Sequence, residues 1–456
     1  HVDGSTTREL ELSTARDVVA ARFTPTVINQ AGERERMADD DGDDHEYAPE
    51  HDEFPFAPDR DTLPLSGMTV VDAGNLVAAP MAAGLLADFG AEVIKIEHPE
   101  YADGLRQLAP HRDGTSLWWK VTDRNKRAIT VDMSTDEGAA VVKDLASEAD
   151  VLLENFRPGT MEKWGLGYDD LEAVNEGIVM VRISGFGQTG PYASRPGFGR
   201  IAGAISSMTN LVGEADGPPM TPGYPLADGV SGVFGALGAL VAVYHREVNG
   251  GKGQEVDLAL YESLFRLLEF VPIGYDQIGE VRTRNGNTHM YVAPSSTYET
   301  ADGEYLTMTA STPSIWERLC RAMDRDDLLD EPRFADNAQR VEHKEEVNQI
   351  VRDWVGERTR EEVEAAFDDH DVAYGFAYDV EDVFADEHYR AREAMVRVPD
   401  DELGEAVVQN VVPKLSETPG QVDHLGPRHG EHTEEVLREL GYDDEMIAEL
   451  REENVV

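Results

Sequence analysis

An α/β fold built on a mainly parallel sheet is what this chain predicts, and two observations carry the prediction. Short β-branched runs alternate with helical periods from Gly67 onward, and one long apolar helix is punctuated by a glycine at every third position. Thr69-Val70-Val71 reads as a first strand, Met81 to Phe89 as a helix and Glu92-Val93-Ile94-Lys95-Ile96 as the next strand. Ala128 to Val131, a helix from Asp136 to Ala149, Val151-Leu152-Leu153 and Ile178 to Ile183 continue the alternation. Strands joined through helices run parallel, with both faces of the sheet covered. Val230 to Arg246 is the long apolar helix, carrying Gly232, Gly235 and Gly238. Each glycine lowers helix stability by about 1 kcal/mol relative to alanine, so the pattern predicts very close backbone packing.

Gln254 to Leu260 reads as another strand and Tyr261 to Phe270 as another helix. Tyr305 to Thr309 and a helix from Ser314 to Met323 open a second, smaller unit, which takes in the helical pattern Arg360 to Phe367 and the acidic region Val380 to Phe384. From Val407 the tail returns to a strand-like run and ends in a helix from Glu431 to Leu440. A chain of 456 residues exceeds one simple core. The expected division is an acidic, flexible extension over 1–64, the first part of a large α/β domain over 65–255, a linker over 256–285, a small domain over 286–380, and a linker with a return to the large domain over 381–456.

Charge excludes whole classes of function. Ninety acidic residues against 40 basic ones give a net charge of -50, spread over the whole length, which no nucleic-acid binder carries. It matches the surfaces of salt-loving organisms, where screening at molar salt removes the self-repulsion. Cys320 is the one cysteine, so no intrachain disulfide forms and a reducing, cytoplasmic setting is expected, with the thiol as core filler. No run of eighteen apolar residues occurs, and Val233 to Val243 is too short to span a bilayer, so no membrane partner is expected. His1 stands where a start would have Met, which leaves open a processed terminus.

Among motifs, Gly185-Phe186-Gly187-Gln188-Thr189-Gly190 matches a dinucleotide loop, but Pro191 interrupts the helix such a loop requires; the glycines instead suit a tight turn beside a ligand. Metal-ligand spacings and a serine nucleophile elbow are absent, and Arg428-His429-Gly430-Glu431-His432 reads as a cap region. Asn125-Lys126-Arg127, Arg106 and Lys163 are basic islands in an acidic chain, suited either to anion binding or to salt bridging. Pro225-Leu226-Ala227-Asp228-Gly229 places one carboxylate at the mouth of the apolar helix. There Asp228 is a helix cap assisted by Ser231, or an exposed carboxylate held ionised by the terminal N–H groups and able to act as a nucleophile.

Leu86-Ala87-Asp88-Phe89-Gly90-Ala91-Glu92-Val93-Ile94-Lys95-Ile96-Glu97, Asn125-Lys126-Arg127, Glu154-Asn155-Phe156-Arg157-Pro158-Gly159, Gly185-Phe186-Gly187, Ala227-Asp228 and Gly430-Glu431-His432-Thr433 occur in this order. Together they resemble the class III CoA-transferases, the family that includes formyl-CoA transferase and the carnitine and bile-acid CoA-transferases. The resemblance runs from Gly67 to the C-terminus. It implies a large Rossmann-like domain assembled from the N- and C-terminal parts, a smaller α+β domain, and an interlaced homodimer. It implies that Asp228 is the catalytic aspartate, attacking an acyl-CoA thioester and becoming an aspartyl-CoA thioester. It places Val77 and Ala78 along the CoA site, His98 near the nucleotide, and Val131, Asn155, Phe156 and Thr160 on adenosine or pantetheine. Lys163 then faces a phosphate, and Ser184 lies next to the reacting end.

The implied substrates are CoA, acyl-CoA and a carboxylic acid, with no permanently bound cofactor and no metal; by resemblance the donor is succinyl-CoA and the acceptor a dicarboxylate such as mesaconate. Arg195, Arg200 and Arg284 are candidates for a distal carboxylate. Intramolecular transfer between the two carboxyls of mesaconyl-CoA is the nearest alternative. A racemase of the same superfamily needs a histidine where this chain has Phe198, which moves no proton. A non-catalytic CoA-binding protein is the alternative from another class. Two departures stand out: His98 occupies a position where an arginine can serve, and Pro196-Gly197-Phe198-Gly199 has glycine where many members carry an acidic residue.

Overall fold

The structure, a computed structural model, describes residues 60–456. The acidic run Asp39 to Asp44 and the rest of the expected extension before Arg60 lie outside the described residues. Arg60 donates to the carbonyls of Ala87 and Ala91 and pairs with Asp423, and Leu63 is buried, so the folded body takes in these residues as well.

Six parallel strands form the main sheet: β1 (Thr69–Asp72), β2 (Glu92–Glu97), β3 (Lys126–Thr130), β4 (Val151–Glu154), β5 (Val179–Ser184) and β6 (Glu255–Ala259). Their order in space is 3-2-1-4-5-6, the doubly wound arrangement. Side-chain alternation explains why both faces are covered. Val70, Val93, Val151 and Val181 enter one apolar core, whereas Val71, Ile94, Leu152 and Met180, each one position along, enter the other.

The first core is roofed by α1 (Ala78–Ala87) and the second by α2 (Asp136–Glu148), whose first turn is capped by Thr135 Oγ1 accepting from the Gly138 N–H at 3.0 Å. Then come α3 (Gly199–Ile205), α4 (Leu226–Asn249) and α5 (Leu260–Arg266). The three glycines of α4 do seat it closely. A Cβ at Gly232 would lie 3.0 Å from Met81, at Gly235 3.0 Å from Ile183 and at Gly238 3.0 Å from Val256.

Further along, β7 (Ser295–Glu299), β8 (Tyr305–Thr309) and β9 (Tyr374–Phe376) form an antiparallel sheet packed against α6 (Pro313–Ala322), α7 (Lys344–Gly356) and α8 (Arg360–Asp369). Cys320 sits in that core, its thiol pushed up to about 12 by burial. The tail forms a hairpin of β10 (Met395–Asp400) and β11 (Gly404–Gln409), then α9 (Thr433–Glu439) and α10 (Asp444–Glu452).

Three expectations need correction. The late strand pairs only with β10, so what returns to the main sheet is helical: Val436, Leu437, Ile447 and Leu450 fill the second core, and the Thr130 N–H donates to Thr433 Oγ1 at 3.0 Å. Helix α4 starts at Leu226 with Pro225 as its cap residue; Asp228 therefore lies inside the first turn rather than capping it, and Ser231 Oγ is buried with no partner. Finally, α4 is long and apolar enough to cross a membrane, with mean hydropathy 1.8 over its best window, although half of that window is buried in the fold. Small Ala and Gly residues keep the average high between its larger apolar side chains, which a search for unbroken apolar runs misses.

Candidate active site

In a 3-2-1-4-5-6 sheet the chain leaves β1 and β4 in opposite directions, and a crevice opens beyond their carboxyl ends. A cleft of about 180 Å³ opens there, lined by Asn75, Leu76, Val77 and Ala78 after β1, by Asn155, Phe156, Arg157 and Pro158 after β4, and by Ser184 and Gly185 after β5. Asn155 bridges the switch point in both directions: its Oδ1 accepts from the Asn75 N–H at 2.8 Å and its Nδ2 donates to the Asn75 carbonyl at 2.7 Å. The remaining wall is the loop Ala193 to Phe198, with Asp228 and Leu260.

Asp228 reaches the cleft because Gly199 has no side chain. A Cβ built at Gly199, the first residue of α3, would overlap Asp228 Oδ2, so this glycine leaves the space the carboxylate occupies. The loop before it is drawn in by a second close approach, since a Cβ on Gly197 would lie 2.7 Å from the Gly185 Cα. Asp228 is only partly exposed, and burial holds its carboxyl above the ordinary carboxylate range, with its own backbone N–H opposing the shift. The carboxylate expected to be exposed is therefore partly buried, and desolvation is the largest influence on it. The Tyr224 phenol is also raised, by burial first and then by the Asp228 charge, and its ring covers Gly229. Ser184 Oγ, at the end of β5, is buried in the cleft wall without a hydrogen-bond partner.

The loop after β1 is held from beneath by buried charges. Asp72 Oδ1 accepts from the Gly74 N–H at 3.0 Å, Asp103 Oδ1 accepts from the Leu76 N–H at 3.0 Å, and Lys95 Nζ pairs with Asp103 at 3.0 Å while donating to the Gly74 carbonyl. Lys126 Nζ bridges Asp72 at 2.9 Å and Asp123 at 2.7 Å and donates to the Pro80 carbonyl at 2.7 Å. Of the expected anion-binding island, then, Lys126 is internal, while Arg127 pairs with Glu92, Glu435 and Glu439. Arg106 pairs with Glu97 at 2.7 Å over the Trp119 ring. For these three cations salt bridging is what the structure shows.

Val77, Ala78, Asn155, Phe156, Ser184 and Asp228 are thus brought to one cleft, and four expected site residues are not. Val131 is buried in the second core. His98 follows β2, its Nδ1 accepting from the N–H groups of Glu100 and Tyr101 and its Nε2 lying 3.4 Å from Asp132. Thr160 and Lys163 begin and end a one-turn helix beyond Arg157, where Lys163 is exposed with no ion pair among the described residues. Asn75, Leu76, Arg157 and Tyr224 were not anticipated. Asn75, Leu76 and Tyr224 follow a strand or precede a helix outside the matched segments, and Arg157 lies in the segment Glu154 to Gly159 without a role of its own assigned there.

With this geometry in hand, the comparisons with known proteins are direct. The model of CoA-transferase family III matches residues 65–433. The chain belongs to this family and is a CoA-transferase, an enzyme that takes an acyl-CoA and a carboxylate as substrates. It is 44% identical over 400 residues to the succinyl-CoA--L-malate CoA-transferase beta subunit of Chloroflexus aurantiacus, covering 87% of this chain and 98% of that one. It is 42% identical over 399 residues to the succinyl-CoA--D-citramalate CoA-transferase of the same organism, covering 87% and 99%. A crystal structure of a CAIB/BAIF family protein from Brucella suis superposes with a TM-score of 0.74 at 30% identity, covering 83% of this chain and all of that one.

Proposed function

We propose that this enzyme moves CoA from succinyl-CoA to a second dicarboxylic acid, with Asp228 as the covalent carrier. The observation that carries the reading is a desolvated carboxylate, given its place by the missing side chain of Gly199, that lines a cleft at the switch point of the sheet. Asp228 attacks the thioester carbonyl, forming an acyl-aspartyl anhydride and releasing CoA thiolate. The thiolate attacks the aspartyl carbonyl, giving aspartyl-CoA and free succinate. The acceptor carboxylate then displaces CoA to form its own anhydride with Asp228, and the thiolate takes the acceptor's acyl group, restoring the carboxylate. No net proton is consumed, which suits a site without a general base beside Asp228. Ser184 Oγ supplies a hydrogen bond to the oxygen that gains charge.

The relatives' names support succinyl-CoA as donor and a dicarboxylate as acceptor. Mesaconate is the acceptor we infer first. Incubating the enzyme with succinyl-CoA and mesaconate, L-malate, D-citramalate or glutarate, and following new CoA thioesters by mass spectrometry, identifies the pair. A thioester that forms without free acceptor, from mesaconyl-CoA alone, would instead mark intramolecular transfer.

The working unit we propose is a homodimer, interlaced as in the family. Val233, Leu237, Val241, Tyr244 and Val248 recur at helical spacing along α4 and are all exposed. Covering that stripe with a second copy removes the apolar face without any membrane. Sedimentation in detergent-free buffer at twice the chain mass is the expected result.

A further inference from the structure

We propose that Arg195 is the specificity residue for this cleft, holding the distal carboxylate of a dicarboxylic acyl group while its other end reacts at Asp228. The inference rests on the CoA-transferase reading above and deepens it. Acidic residues outnumber basic ones 90 to 40, yet Arg195 has no acid partner among the described residues. Its guanidinium instead lies flat on the Tyr192 ring, 3.6 Å from the centroid. Tyr192 packs edge-on against the buried Phe186, ring centroids 5.9 Å apart, and the Arg195 N–H donates to the Tyr192 carbonyl at 2.8 Å, closing the turn that carries both.

Stacking occupies the face of the guanidinium and leaves its edge of N–H donors unused. That edge is the geometry a carboxylate meets with two parallel hydrogen bonds. Arg195 and Asp228 line the same cleft, and the Gly197–Gly185 approach and the Gly199–Asp228 contact fold the intervening residues onto the nucleophile.

Arg157 also lines the cleft without an acid partner, but it stands on the far wall beside Asn155 and Phe156, the residues expected along CoA. Arg195 stands on the wall that carries Asp228. Because donor and acceptor each form an anhydride with the same Asp228, one carboxylate subsite serves both acids.

The test compares succinyl-CoA with butyryl-CoA, the donor of equal chain length that lacks the distal carboxylate, in the full-length enzyme and its Arg195→Gln and Arg195→Lys variants. The expected result is a fall of about 10- to 100-fold in the succinyl-to-butyryl ratio of kcat/KM for Arg195→Gln, with a partial return for Arg195→Lys. Calorimetric titration of succinate and of butyrate into each protein should show the same preference and its loss. An unmoved ratio, with both donors weakened alike, overturns the proposal, as does a weakened affinity for free CoA, which would make Arg195 a phosphate contact. A wild-type enzyme that transfers CoA from neither donor refutes the parent reading instead, and the titrations still decide whether Arg195 selects a second carboxylate.

Discussion

A single missing side chain makes room for Asp228, the proposed nucleophile. Gly199→Ala puts a methyl group where Asp228 Oδ2 lies, so the carboxylate must shift by a large part of an ångström. Such misplacement lowers kcat by about 100-fold with little change in thermal midpoint, whereas Asp228→Asn removes at least about a thousandfold. Steady-state kinetics beside a melting curve separates the two. Asp228 must be ionised to attack, and burial raises its carboxyl, so activity falls as the pH drops through a value above the ordinary carboxylate range. A pH profile of kcat/KM should show that displaced acid limb. At this scale Asp228 was legible only through the segments around it. Its partial burial was not legible, because helix-terminal N–H groups are visible in a sequence and desolvation is not.

At the scale of elements, the cleft's first wall stands on internal charge. Asp72, Asp103 and Asp123 face Lys95 and Lys126, three carboxylates against two ammonium groups, all buried, and they fix the backbone from Gly74 to Pro80. Removing one partner from such a cluster strands the others in low dielectric, so Lys126→Ala should lower the unfolding free energy by about 3–5 kcal/mol in urea titrations. Asp123 carries the imbalance: burial pushes its carboxyl up to about 6, and its Oδ2 has no partner. Its folded pKa is raised, so its contribution to stability is complete below about pH 4 and is lost as the pH rises through about 6. Urea midpoints from pH 4 to 7 should therefore fall less in Asp123→Asn than in wild type.

Strand and helix alternation through β6 was readable from period and composition, as was the tight seat of α4 from its glycines. The buried lysines were not, because Lys95 in Glu92-Val93-Ile94-Lys95-Ile96-Glu97 and Lys126 in Lys126-Arg127-Ala128-Ile129-Thr130 look like surface cations until the strand order pairs them with Asp72. Nor was the fate of β11, since a strand-like run does not say which sheet it joins.

For the whole molecule, composition speaks before structure does. A charge of -50 repels itself over about 10 Å at 0.1 M salt and only about 3 Å at 1 M, so the thermal midpoint should climb with KCl across that range. A flat dependence would contradict a salt-adapted surface. Splitting the α4 stripe with Val241→Asp should turn the proposed dimer into a monomer by sedimentation. The fold, its buried charges, its small-residue contacts and the stacked Arg195 support the proposal that Asp228 carries CoA. Treating the enzyme with succinyl-CoA, reducing it with borohydride and mapping the digest by mass spectrometry tests that most directly. The account predicts that the peptide bearing Asp228 alone returns with its carboxyl reduced to an alcohol; an unmodified Asp228 together with full activity in Asp228→Ala would contradict it.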